Sequence, residues 1–160
     1  MATPDAGAVI IVGAGQAAAQ TAASLRQKGY AGPVTMVGDE HFLPYQRPPL
    51  SKAYLAGTLD AERLHIKAQR FWPEHAIETR LGVRATAINR SARKLTLADG
   101  TTLDYAKLVL ATGSRVRELP IPGHELPGVH YLRTIADVQD IQAGFAAGQR
   151  LTIVGGGYIG

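Results

Sequence analysis

The chain has 160 residues, 46% of them hydrophobic, with 17 Lys and Arg, 13 Asp and Glu, five His and no Cys. That length suits about one domain with a substantial core; the missing cysteines exclude a disulfide framework or a thiol relay within these residues, and the apolar runs fall short of the ~18–20 residues that span a bilayer. The formal charge of +4 and pI near 9.6 favour acidic partners, but the cations are scattered and too few aromatics interleave with them for a nucleic-acid surface.

The start, Met1-Ala-Thr-Pro-Asp5, lacks the basic opening of a signal peptide. A cytoplasmic protein with no membrane and no nucleic-acid partner is the expectation. The first element is a buried-type strand, Val9 to Val12, running into Gly13-x-Gly15-x-x-Ala18. Gly13 allows a tight turn, Gly15 lets a pyrophosphate approach bare backbone, and Ala18 is small enough for close helix packing. Phosphate then faces the positive end of a helix. In a glycine-rich chain such a triplet is also compatible with an ordinary turn, so its context matters. A helix is expected over 15–28, ended by Gly29, and a strand over Val34 to Val37 delivers Asp39. Asp39 lies 21 residues beyond Ala18, near the ~20-residue offset of an acid that hydrogen-bonds a ribose. Strand, helix and strand together form a βαβ unit of a parallel sheet.

Phe42 to Lys52 contains Pro44, Pro48 and Pro49; no helix is expected there before Leu50, and the rigid loop holds Arg47 and Lys52 in place. A short helix is expected around Gln69 to His75, interrupted at Pro73. From about Glu78 the period changes. Val83 to Ile88, Lys94 to Leu97 and Thr102 to Tyr105 read as a three-stranded antiparallel meander, with Ala98-Asp99-Gly100 as a turn. Leu108 to Ser114 reads as another buried strand ending in a glycine turn. A Pro- and Gly-rich connector, Leu119 to Gly128, precedes a helix expected over Ala136 to Ala147.

The last segment, Arg150 to Gly160, repeats the opening device as a strand followed by Gly155-x-Gly157-x-x-Gly160, 142 residues after the first copy. Two such fingerprints imply two dinucleotide-binding folds, and a fingerprint acts only with the helix that receives the phosphate. The expectation is a fragment, with one dinucleotide-binding domain and its connector in 1–149 and the opening strand and turn of a second in 150–160. The fold class is α/β, a Rossmann-like parallel sheet with helices on its faces and an inserted antiparallel meander. Metal ligation is not expected, because His41, His65, His75, His124 and His130 are isolated in sequence.

With both fingerprints, the Ala111-Thr112-Gly113 turn and the Arg47-Pro-Pro-Leu-Ser-Lys52 loop in register, the chain closely resembles the FAD-dependent, NAD(P)H-dependent ferredoxin reductases of bacterial oxygenase systems. The likeness runs over nearly the whole chain, and the Arg-Pro-Pro-Leu-Ser-Lys loop is its most specific element. The resemblance implies that the first fingerprint binds FAD and the second NAD(P)H. It implies Gly13, Gly15 and Ala17 along the pyrophosphate, with Ala18 packing beneath, Asp39 on the adenosine ribose, and Ala85 on the adenine side through its backbone. Arg47, Lys52, Thr112, Gly113 and Arg133 complete the FAD site, with Lys52 near the isoalloxazine; Gly155, Gly157 and Gly160 belong to the NAD(P)H site. Each has a plainer alternative: Asp39 as a residue ending a strand in a turn, Arg47 as a solvated loop cation, Lys52 as a helix cap.

The implied function is electron transfer from NADH through FAD to a small acidic iron–sulfur ferredoxin that feeds a cytochrome P450 or a ring-hydroxylating oxygenase. The resemblance requires no catalytic acid, base or nucleophile. Rubredoxin reductases, and the regulatory flavoprotein apoptosis-inducing factor, are the alternatives it leaves open.

Overall fold

The computed structural model describes residues 7–145 and 148–157. Its elements are β1 (Val9–Val12), α1 (Gln16–Gln27), β2 (Val34–Val37), α2 (Phe71–Glu74), β3 (Ile77–Arg80), β4 (Ala85–Asn89), β5 (Lys94–Leu97), β6 (Thr102–Asp104), β7 (Lys107–Leu110) and α3 (Ile135–Gly144), with 3₁₀ turns at Pro48–Ser51 and Ala61–Leu64. The residues pack as two compact units. One is built from the chain up to Gln46 and His65–Gly113, the other from Arg47–Leu64 and the chain from Ser114 onward.

The first unit has three layers around a four-stranded parallel sheet of order β3-β2-β1-β7. Its strands alternate, so each presents side chains to both faces. Val9 and Ile11 of β1, Val34 and Met36 of β2 and Ile77 of β3 bury one face under Ala18, Ala19 and Ala22 of α1 and Trp72 of α2. Small alanines let α1 lie close against the sheet. Ile10 and Val37 face the other way, onto Leu95 and Leu97 of the meander β4-β5-β6. The parallel arrangement with an inserted antiparallel meander is therefore as the sequence implies.

Strand β3 is the element that periodicity does not reveal. It contributes only Ile77 to the core, and Glu78, Thr79 and Arg80 give no apolar alternation; it exists because β2 offers it a parallel partner in the register Val34↔Ile77 to Val37↔Arg80. Arg26 in the last turn of α1 fastens the approach to β3. Its guanidinium donates to the carbonyls of Tyr30, Gly32, His75 and Ala76 at 2.6–2.8 Å. This joins the end of α1, the loop into β2 and the lead into β3.

The second unit buries Leu50, Tyr54, Leu64, Ile135 and Val138. Gln142 of α3 donates to the carbonyls of Tyr54 and Leu55 at 2.9 and 3.1 Å. Its first segment, Arg47–Leu64, interrupts the first unit in sequence. Two expectations about local structure need correction. A 3₁₀ turn begins at Pro48 rather than after Leu50, because prolines in the first positions of a helical turn lack only N–H groups that would have no acceptor there. No strand forms over Arg150–Val154: Leu151, Ile153 and Val154 are 67%, 61% and 73% exposed, and a strand needs a ladder partner, which none of the described residues supplies. The last helix is also shorter than expected, closing at Gly144 with Phe145 extended; Ala146 and Ala147 lie outside the described residues.

Candidate functional site

In the first unit the carboxyl ends of β1, β2 and β7 share one edge, with Val12 paired to Val37 on one side and to Leu110 on the other. The chain leaves β1 through α1 toward β2 and returns to the opposite side of β1 only at β7. Such a reversal opens a crevice at the carboxyl edge, the place where α/β sheets bind ligands.

Gly13 ends β1 at this edge. Its N–H donates to the Val37 carbonyl at 2.7 Å, and its φ is +118°. A Cβ there would stand 2.1 Å from the carbonyl oxygen of Ala111 and 3.2 Å from the nitrogen of Thr112. The turn at 111–113 is thus pressed against the first glycine, and Ala111 N–H donates to Val12 at 2.7 Å. Gly38 has a similar role that sequence reading passed over: a Cβ on it would lie 2.5 Å from that of Ala14. The signal was a glycine wedged between a strand end and its acid.

Gly15 differs from both. Its backbone is extended (φ −90°, ψ −166°), no side chain caps α1, and the first turn carries no acid. A Cβ at Gly15 would meet no atom within 4 Å. The first intrahelical bond of α1 runs from Ala19 N–H to the Gly15 carbonyl at 3.0 Å, so the amides of Gln16, Ala17 and Ala18 lack intrahelical acceptors. Ala17 is exposed, while Ala18 is buried against the sheet. An open glycine before uncapped amides at a positive helix end fits an anionic diphosphate. Such a group would lie against the backbone of Gly13, Gly15 and Ala17.

Asp39 follows Gly38 and keeps its carboxylate 56% exposed, with Nη2 of Arg84 at 3.1 Å from Oδ2. Ala85 opens β4 at an irregular register and leans its methyl on the cluster around Ile10, Val37, Leu95 and Leu97. Thr112 and Gly113 are exposed. Asp99, in the turn between β5 and β6, accepts the Thr101 N–H at 2.9 Å, which holds its carboxyl below the usual carboxylate range; it builds a turn. A separate hollow of about 620 Å³ is lined by His41, His65, Trp72, Ile77 and Thr79 and shares no residue with the glycine edge.

In the second unit Arg47 and Arg133 come together. Nη1 of Arg47 donates to the Arg133 carbonyl at 2.6 Å. The backbone at Arg133 is pinned by a capping box: Arg133 and Thr134 N–H donate to Oδ2 of Asp137 at 2.9 and 2.7 Å, and Asp137 N–H donates to Oγ1 of Thr134 at 3.1 Å. The pattern Thr134-Ile-Ala-Asp137 carried that signal. Lys52 closes the 3₁₀ turn with its N–H on the Pro49 carbonyl at 3.0 Å, and the residue is exposed. Gly155 and Gly157 are exposed with no atom within 4 Å of an added Cβ; Gly160 lies outside the described residues. Among the described residues no helix is long and apolar enough to cross a membrane.

Comparison with known proteins gives consistent matches. The family described as pyridine nucleotide-disulphide oxidoreductase matches residues 7–160. Rhodocoxin reductase of Rhodococcus erythropolis is 44% identical over 152 residues, covering 95% of this chain and 36% of the relative. A probable ferredoxin reductase of Castellaniella defragrans is 48% identical over 157 residues, covering 37% of its own length. The crystal structure of the ferredoxin reductase for the CYP199A2 system from Rhodopseudomonas palustris superposes with a TM-score of 0.81 at 46% identity, over 85% of this chain and 33% of that one. The chain thus spans about a third of the length of these relatives.

Proposed function

The chain belongs to the pyridine nucleotide-disulphide oxidoreductase family, and we propose that it is the FAD-binding part of a reductase that passes electrons from NADH to a ferredoxin serving a cytochrome P450 or a ring-hydroxylating oxygenase. The observation that carries this reading is the open glycine turn at the uncapped amino end of α1, in a chain whose relatives at 44–48% identity are named ferredoxin or rhodocoxin reductases.

Gly13, Gly15 and Ala17 receive the pyrophosphate of FAD on backbone amides, and Ala18 holds α1 close to the sheet beneath them. Asp39 accepts the hydroxyls of the adenosine ribose, and the backbone of Ala85 meets the adenine. Thr112 and Gly113 continue the lining where β7 ends. FAD, when bound, supplies the redox chemistry, taking two electrons from a hydride and releasing them one at a time. The residues of this chain bind and orient it; none is assigned as acid, base or nucleophile, and with no Cys in the sequence these residues provide no thiol relay. For Arg47, Lys52 and Arg133 the resemblance supports a role on the flavin side of the cofactor, with Lys52 raising the reduction potential by favouring the reduced anion. Residues 150–160 open the NAD(P)H-binding part, with Gly155, Gly157 and Gly160 as its fingerprint. The net charge of +4 supports an acidic ferredoxin as partner.

The test is a visible spectrum of the complete reductase during NADH titration, followed by ferredoxin-dependent reduction of cytochrome c. A flavin spectrum bleached by NADH, with turnover that rises with ferredoxin, is the expected result. A colourless protein, or a bleached flavin with no acceleration by ferredoxin, would overturn the reading.

A further inference from the structure

We infer that Arg84 is a positioning residue for the cofactor's adenosine end, acting through Asp39; this rests on the reading of Asp39 as the ribose acceptor. Asp39 and Arg84 are far apart in sequence but held at a fixed separation. Val83 N–H donates to the Gly38 carbonyl and Gly82 N–H to that of Glu40, both at 3.0 Å, and Ala98 N–H donates to the Arg84 carbonyl at 2.8 Å. The backbone on either side of the ion pair is therefore stitched before any side chain is considered.

The guanidinium then takes one oxygen of the carboxylate. Nη2 and Nε of Arg84 both approach Oδ2 of Asp39, at 3.1 and 3.4 Å. Oδ1 accepts no hydrogen bond from the described residues. A carboxylate on a short stem at a strand end rotates freely unless something holds it, and a ribose diol needs its acceptor in one orientation. Two donors on one oxygen supply that orientation and leave the other oxygen for the sugar. A planar fork does this better than a lysine, whose ammonium is a single point of charge.

The pair has little else to do. The side chains of Arg84 and Asp39 are 55% and 56% exposed, and a surface ion pair of this kind contributes little to folding. A role in stability and a role in positioning thus give different outcomes when Arg84 is removed.

The experiment measures dissociation constants of FAD, and of an FAD analogue whose adenosine ribose lacks both hydroxyls, for the apo form of the complete reductase. Wild type, Arg84→Gln, Asp39→Ala and the double variant are compared, and urea unfolding of each apoprotein checks the fold. Arg84→Gln is expected to leave unfolding unchanged, weaken FAD about three- to tenfold, and have no effect on the analogue. The double variant should bind FAD no more weakly than Asp39→Ala alone, because the two residues act as one unit. If Asp39→Ala weakens FAD but Arg84→Gln does not, or if the two losses multiply, Arg84 has no positioning role while the ribose reading stands. If Asp39→Ala binds FAD as wild type does, both fail together.

Discussion

The two glycine fingerprints of this chain share a sequence device and differ in almost everything around it. Gly13 and Gly155 have nearly the same φ, +118° and +111°. Around Gly13 a Cβ would collide with the Ala111 carbonyl at 2.1 Å, while around Gly155 it would meet nothing within 4 Å. The first follows a strand paired on both sides; the second follows residues with no ladder partner among those described. The local turn is therefore a property of the glycines, and the site is a property of the neighbours that close on it. Gly38 against Ala14 and the 111–113 turn against Gly13 make the first copy a formed edge.

Substitutions at the two copies sharpen this contrast. Gly13→Ala should have the largest effect: its Cβ strikes a backbone carbonyl that cannot move without disturbing β7, and its φ is unfavourable for alanine. A loss of about 3 kcal/mol or more in urea unfolding is expected. Arg26→Ala comes next, because it removes a charged donor from the carbonyls of Tyr30, Gly32, His75 and Ala76; about 2 kcal/mol is expected for these partly exposed bonds. Gly155→Ala shares the unfavourable φ but meets no neighbouring atom, so it should cost only the backbone term, about 1 kcal/mol. Equal losses at Gly13 and Gly155 in the same denaturation series would erase the distinction.

Much of the first unit was legible because its signals are local. Val9–Val12 and Val34–Val37 are largely apolar runs each followed by a glycine, and the meander alternates with a period of two around its Asp99-Gly100 turn. What escaped depends on contacts far apart in sequence. Ile77 has no apolar companions in its strand and becomes one only beside β2. Arg26 reads as an ordinary helix-end cation until the carbonyls of 75 and 76 arrive from another element. Phe42 to Lys52 reads as a rigid proline loop, and its sequence does not show that Leu50 packs in one unit with Tyr54, Leu64, Ile135 and Val138. At the proposed site, the glycines and Asp39 are suggested by spacing, whereas Gly38 against Ala14 and Arg84 against Asp39 come together only in the fold. The opposite occurs at Arg150–Val154, where an apolar pattern typical of a strand is present but no strand pairs with it among the described residues.

The most direct test of the phosphate-binding role uses Gly15, where fold and ligand make opposite demands. Its extended backbone and open surroundings accept a side chain without a clash, so Gly15→Val should cost the apoprotein only the poorer N-cap, about 1 kcal/mol or less. The same side chain would stand between a diphosphate and the amides of α1. In the complete reductase, the FAD dissociation constant of Gly15→Val is expected to rise about a hundredfold, or ~2.7 kcal/mol. Wild-type FAD affinity in a folded Gly15→Val variant would contradict the assignment of this turn as the cofactor's phosphate site.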